Sequence, residues 1–282
     1  MILAIDIGGT KTSIATFSEL LGFPLKSKSI KFPTPDDCTN IELEFNTAIQ
    51  KLIPDPTNRS KIQIAVIAYP GLVQEGLPTS APNLPAWNDF DLVECIKNVF
   101  TANGIACPFY FENDANLGAF YECRNKKGRA IYLTFSTGIG GGIMENNQLS
   151  PASASFEPGH MTFTYNGQVS PWEDFASVKA INAANNVDDI KKVTAPRALF
   201  DVASRLSLGI TQIIREQQPT TVIIGGPIGL IYRNFQKQLK TIIAPSLNNT
   251  IPAKILPAKK PMECVEYGCY YYAKAILKAT KS

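Results

Sequence analysis

Twice in this chain an apolar run ends in a cluster of glycines and the chain returns at once as a second strand. The first instance is Ile2–Ile7, followed by Gly8-Gly9-Thr10-Lys11-Thr12. The second is residues 129–135, followed by Ser136-Thr137-Gly138-Ile139-Gly140-Gly141-Gly142. Each glycine turn opens a strand meander that gives way to alternating helices and strands, so the expected architecture is α/β, built as two similar lobes. After the first turn, strands are expected over 12–17, 27–32 and 61–69, and helices over 42–52 and 90–102, with a Pro, Gly and Asn-rich loop at 70–88 between them. A strand at 107–112 runs into Asn113-Asp114 and a helix at 115–123, for which Asp114 is the expected N-terminal cap. After the second turn the chain returns as a strand through Ile143. Helices follow over 171–185 and 195–217, a strand over 220–224 meets Gly225-Gly226, and helices over 229–240 and 265–278 close the chain. The expected division is a first lobe of 1–114, with 265–282 packing back on it, and a second lobe of 115–264. Two lobes imply a cleft, where ligands commonly sit.

At 282 residues, with 45% hydrophobic and 18% charged side chains, the chain can bury a core in each lobe and lacks the signature of disorder. A net charge of +3 with scattered Lys and Arg argues against a nucleic-acid partner; Lys126, Lys127 and Arg129 read as a solvated turn. The six cysteines at 38, 95, 107, 123, 264 and 269 form neither a CxxC motif nor a disulfide framework, so reduced structural thiols are expected. Met1 leads straight into a strand, and no apolar run is long enough to span a bilayer. The expected compartment is therefore the cytoplasm, with no membrane partner.

The segment Asp6-Ile7-Gly8-Gly9-Thr10-Lys11 carries the sharpest chemistry. Glycines at a strand end let backbone N–H groups approach a phosphate, and the preceding Asp6 can hold Mg²⁺, directly or through water. The spacing is neither a P-loop nor a dinucleotide fingerprint. Alone it is equally a hairpin turn. The second turn, with Thr137, Gly138 and Gly140, shifts that balance, since paired loops could hold a polyphosphate from both sides. Gly225-Gly226 offers small residues against which adenine or ribose could pack, although on its own the motif reads first as a strand-to-helix turn. In Glu112-Asn113-Asp114-Ala115-Asn116, a carboxylate at a strand-to-helix junction suits a general base, although on these residues alone a simple helix cap is the better reading. Glu157-Pro158-Gly159-His160 holds the only histidine, a residue type that is more often structural when it stands alone.

In this order the motifs resemble those of the sugar kinase, heat-shock protein and actin superfamily, and more narrowly its ROK branch of sugar kinases and related repressors. The resemblance spans nearly the whole chain. It implies two actin-like (ribonuclease H-like) lobes, ATP and Mg²⁺ as cofactors, a small-molecule sugar as substrate, and a homodimer. It assigns Asp6, Gly8, Gly9, Thr10 and Lys11 to the first phosphate loop, Thr137, Gly138 and Gly140 to the second, and Gly225 and Gly226 to the adenosine site. Asp114 becomes the catalytic base. Asn113, Glu157 and His160 become sugar ligands, as do Asn83 of the substrate loop at 80–87 and Gly71, whereas Trp87 reads as packing.

The chain departs from the family at one place. Many members follow the histidine with a CxCGxxGC-L-E cluster that binds structural zinc, but the aligned residues 164–173 contain no cysteine. No zinc site is therefore expected, because His160 alone cannot close a coordination shell. Glu173 matches the terminal glutamate of that motif and is kept as a sugar ligand. The implied reaction is phosphorylation of a hexose at the 6-hydroxyl, glucose foremost, with N-acetylmannosamine, N-acetylglucosamine or fructose as alternatives. A sugar-sensing regulator without turnover is the alternative of another class. A repressor of this family carries a helix-turn-helix domain before the first phosphate loop, for which the residues before Asp6 leave no room.

Overall fold

The computed structural model describes residues 1–82 and 84–280. In chain order the strands are β1 (Ile2–Ile7), β2 (Lys11–Leu20), β3 (Phe23–Lys26), β4 (Ile30–Pro33), β5 (Ile64–Tyr69), β6 (Leu72–Gln74), β7 (Leu77–Ser80), β8 (Phe109–Asn113), β9 (Arg129–Phe135), β10 (Ile139–Glu145), β11 (Gln148–Leu149), β12 (Thr162–Tyr165), β13 (Gln168–Pro171), β14 (Thr221–Gly225) and β15 (Lys254–Pro257). The helices are α1 (Ile41–Leu52), α2 (Pro56–Arg59), α3 (Leu92–Ala102), α4 (Asp114–Glu122), α5 (Trp172–Ala176), α6 (Val178–Asn185), α7 (Pro196–Gln217), α8 (Gly226–Ile243) and α9 (Cys264–Ala279). The chain divides into two compact units, one of Met1–Leu117 with Val265–Ser282 and one of Gly118–Cys264.

In the first unit the sheet runs β3-β2-β1-β5-β8, with β4 also paired to β2. The β1–β2 pair is antiparallel, whereas β5 and β8 add in parallel. β1 and β5 are buried on both faces, as the parallel part of such a sheet requires. Strand periodicity sorts their side chains. Leu3, Ile5, Ile7, Ala65, Ile67 and Tyr69 join the core under α1 and α3, while Ile2, Ala4, Ile64, Val66 and Ala68 join the one under α9.

The second unit repeats the scheme. Its sheet runs β11-β10-β9-β14-β15, with β9–β10 antiparallel and β14 and β15 added in parallel. α7 and α8 bury Leu206, Ile210, Ile213, Tyr232, Phe235 and Leu239 in its core. The apolar residues of α7 recur at helical spacing, which is why one face of this long helix is sealed while the other is wet.

Four expectations change in detail. The strand expected at 27–32 is instead two short ones, β3 and β4, which pair with opposite ends of β2. Ser27 sits at the break, where its N–H reaches Thr16 O at 2.8 Å and its hydroxyl accepts the Thr16 N–H at 2.9 Å. The helix expected at 171–185 is cut at Ser177, which is extended at ψ 160° and caps α6 through the Ala180 N–H. The expected loop at 70–88 contains the β6–β7 hairpin. Asp114 is the first residue of α4 rather than its cap: Asn113 Oδ1 accepts the Asn116 N–H at 3.0 Å, the bond an N-cap side chain makes.

Candidate active site

The first unit places two acidic segments at the ends of two parallel strands, β1 and β8, with β5 between them. Asp6 lies near the end of β1, opposite Ser13 on one side and Ala68 on the other, and Asn113 closes β8 opposite Tyr69. The turn after β1 is tied down by its neighbours. Gly8 N–H bonds Lys11 O at 3.1 Å, and Thr34 donates its hydroxyl to Gly8 O at 2.7 Å and its N–H to Thr10 O at 3.2 Å. A side chain on Gly8 would stand 2.9 Å from Lys11 O, so the tight turn excludes one. Gly8 and Gly9 are half-buried, and Thr10 and Lys11 are exposed.

Part of Asp6 stays accessible, yet protein atoms crowd its carboxyl closely. That desolvation raises its pKa well above the usual carboxylate range, and the like charges of Asp114 and then Glu266 push it further. Lys31 and Lys26 oppose the shift. Two hard oxygen donors that repel one another form a donor set suited to a divalent cation.

Asp114 is fixed by the backbone that follows it: Ala115 N–H donates to Oδ1 at 2.7 Å. Asn113 is held at both ends of its amide, with Nδ2 donating to Gly71 O at 2.9 Å and Oδ1 capping α4. Gly71 is required by packing, because a Cβ there would collide with the Ser80 carbonyl across the β6–β7 hairpin. Its carbonyl also orients Asn113, a contact the sequence reading did not foresee. Asn83 lies outside the described residues. Trp87 is buried and donates its indole N–H to Pro35 O at 2.9 Å, a packing role. Sequence reasoning passed over Glu112 and Asn116, although both stand in the same string. Glu112 Oε1 accepts the Asn113 N–H and the Asn116 Nδ2–H, each at 2.9 Å.

The second unit carries the other half of the expected groups. Thr137, exposed, and Gly138, half-buried, form the β9–β10 turn, closed by Ser136 N–H to Gly138 O at 2.9 Å, and Gly140 is the second residue of β10, opposite Thr134. Glu173, on the first turn of α5, reaches back to this turn: its Oε2 accepts the Ile139 N–H at 3.1 Å. Two glycines make room for that carboxylate. A Cβ on Gly138 would lie 2.6 Å from Oε2, and one on Gly159 would lie 2.7 Å from it. Oε1 of Glu173 stands 3.8 Å from His160 Nε2. Glu157 completes the group; its pKa is raised by burial and by Glu173, against the pull of His160.

The residue before Glu173 anchors its segment. Trp172 is fully buried against Phe135 and Phe163 and donates its indole N–H to Arg205 O at 3.0 Å. Tyr165 stacks on Phe175 at 4.5 Å, and Arg205 donates to Phe175 O and Asp201. Gly225 and Gly226, the expected adenosine glycines, are buried where β14 becomes α8. The Tyr132 ring excludes a side chain at Gly225. Gly226 combines φ 62° with the close backbone of Phe135. Among the described residues, no group of three or more His, Cys, Asp or Glu side chains could hold a metal, and no helix is long and apolar enough to cross a membrane.

The sequence model of the ROK family matches residues 2–263. The xylose repressor of Bacillus spizizenii is 27% identical over 222 residues, which cover 68% of this chain and 56% of that protein. The chain thus spans about half the length of the xylose repressors it matches. An N-acetylmannosamine kinase of Salmonella newport is 29% identical over 257 residues, covering 81% and 83%. The solved structure of a ROK family glucokinase from Streptomyces griseus, in complex with glucose and AMPPNP, matches with a TM-score of 0.77 at 22% identity, over 97% of this chain and 99% of that one. Its likeness establishes the two-lobed actin-like fold. With the duplicated sheet, the glycine turns and a family match over nearly the whole length, the chain belongs to the ROK family.

Proposed function

We propose that the chain is an ATP-dependent sugar kinase that phosphorylates the 6-hydroxyl of a hexose, with Asp114 as general base. The observation that carries this reading is the fixed Asp114 carboxylate, set at a strand-to-helix junction beside a second acid and a doubly anchored amide. In the reaction, Asp114 takes the hydroxyl proton as the sugar oxygen attacks the γ-phosphorus of ATP. The bond from that phosphorus to its bridging oxygen breaks, and ADP leaves with the electron pair. The base need accept the proton only late, so an ordinary carboxylate suffices.

The glycine turns after β1 and β9 serve the phosphates through backbone N–H groups, and Gly225-Gly226 serves the adenosine. Glu157, His160, Glu173, Asn113 and Asn83 serve the sugar, whose hydroxyls each need donors and acceptors. Mg²⁺ fits the oxygen donors present: Asp6 would hold it, directly or through water, and when bound it offsets phosphate charge. The repulsion between Asp6 and Asp114 is a further reason to expect a cation there.

Glucose is the leading substrate on the family pattern, and the N-acetylmannosamine kinases among the relatives make that amino sugar its main rival. The xylose repressors favour a second reading, a sugar-responsive regulator with little turnover. A coupled ADP-release assay over glucose, fructose, N-acetylmannosamine and N-acetylglucosamine separates these readings. A kinase releases ADP only with its sugar, whereas a regulator binds a sugar with no release.

A further inference from the structure

Glu173 sits on a helix that cannot hold itself in place. α5 is five residues long, far below the length at which a helix is stable on its own, so its position is set from outside. The long helix α7 does this with one face. Asp201, Arg205 and Gly209 follow one another at steps of four, which stacks them along that face about a turn apart. Arg205 grips α5 on either side of Glu173. Its backbone carbonyl accepts the Trp172 indole N–H at 3.0 Å, and its guanidinium Nη1 donates to Phe175 O at 2.8 Å. Gly209 supplies the seat: a Cβ there would stand 2.4 Å from the Trp172 ring, so a side chain would displace the indole.

Asp201 aims the guanidinium. Its Oδ2 accepts the Arg205 Nε–H at 2.6 Å, and its Oδ1 accepts the Tyr165 hydroxyl at 3.2 Å. Tyr165 belongs to the β12–β13 hairpin, which runs straight into α5. Its ring stacks on Phe175 with centroids 4.5 Å apart, and the Arg205 guanidinium carbon stands 5.2 Å from its centroid. The Arg205 side chain is only 12% exposed, so these charge-assisted bonds form largely out of bulk water, where they hold more firmly than on a surface. Glu173 itself places Oε2 on the Ile139 N–H at 3.1 Å, so a shift of α5 acts directly on that bond.

We infer that Arg205 is a positioning residue for Glu173, acting through both ends of α5, and that the 201–205–209 face of α7 sets the carboxylate that serves the sugar. This rests on the reading of Glu173 as a sugar ligand. Loss of the guanidinium leaves the Trp172 anchor in place but frees the Phe175 end of α5. Glu173 then leaves the geometry in which Oε2 meets Ile139 and Oε1 faces His160. The expected cost falls on the sugar KM, since neither α5 nor α7 carries the proposed base.

The test is a double-mutant cycle on steady-state turnover with Arg205→Met, Glu173→Ala and the pair. It is accompanied by amide exchange of Ile139 and, as a reference, of Ile223 in β14, both read well below the melting temperature. Arg205→Met keeps the length of the side chain and removes its donors. It is expected to raise the sugar KM roughly 10-fold, a size usual for groups that orient a ligand-binding side chain, with kcat little changed. Arg205→Lys keeps the charge but not the planar fork, should show the same effects at smaller size, and stands in for Arg205→Met if that variant does not fold. In the Glu173→Ala background the change at 205 should add nothing to KM. Exchange at Ile139 should quicken while Ile223 keeps its wild-type rate. A merely structural arginine would instead lower the melting temperature and quicken both amides, leaving the sugar KM of the folded protein alone. A wild-type sugar KM, effects that multiply in the double variant, or unchanged exchange at Ile139 would overturn the inference. If the intact chain turns over no sugar, the kinase reading fails separately, and the two exchange rates decide this one. Ile139 quickened alone supports the positioning role, and both amides or neither quickened refutes it.

Discussion

Asp6 and Asp114 both belong to the first unit, where the charge of Asp114 helps raise the pKa of Asp6, and each has a separate consequence that can be measured. Removing the Asp114 charge by Asp114→Asn should lower kcat at least about 10²-fold and nearly spare sugar binding, as loss of a general base does. Calorimetric titration with the sugar checks the second part. Asp6 has a folded pKa raised above its unfolded value near 4, so the folded state binds the proton more tightly than the unfolded chain. Its contribution to stability is fully present below the unfolded pKa and is lost as pH rises through the folded one. Asp6→Asn should therefore raise the melting temperature at pH 7 to 8 without added Mg²⁺, and that gain should vanish toward pH 4. Activity should fall all the same, a trade of stability against function. The string Glu112 to Asn116 was readable as a candidate, but the hydrogen bonding inside it was not. Asn113 and Asp114 are both good caps by type, and only the backbone course shows that Asn113 takes that bond and leaves Asp114 inside the helix.

The glycines of the elements carry distinct roles that their residue type alone does not reveal. Gly138 is not needed for a left-handed backbone; it leaves room for Glu173. Gly138→Ala should displace that carboxylate from the Ile139 N–H, raising the sugar KM more than it lowers stability, as substrate-dependence curves and melting would show. Gly226 is different, since its φ of 62° begins α8 against the Phe135 backbone. Gly226→Ala should cost at least about 1–2 kcal/mol in urea unfolding from the backbone conformation alone. Helices such as α1 and α7 followed from periodicity, because one buried face writes itself into the sequence, and β1 followed from its continuous apolar run. The β6–β7 and β12–β13 hairpins did not, since strands of three or four residues leave too short a pattern. β12–β13 is held instead by distant partners, through Tyr165 on Phe175 and Asp201.

At the scale of the whole chain, the duplication was legible because it is written in strand order: an antiparallel pair around a glycine turn, then parallel additions, in both units. The return of α9 to the first unit has no local signal. Its apolar face shows only that it packs somewhere, and the Ser13–Glu266 bond joins residues 253 apart in sequence. Each unit holds part of the proposed machinery, so one assay tests both parts: sugar-dependent ADP release by the intact chain, by Asp114→Asn and by Glu173→Gln. The expected result is ADP release by the intact protein with at least one hexose or N-acetylhexosamine, a loss of at least about 10²-fold in kcat for Asp114→Asn, and a raised sugar KM for Glu173→Gln. No release with any sugar of the panel, or near-normal turnover by Asp114→Asn, would contradict a kinase built on this carboxylate.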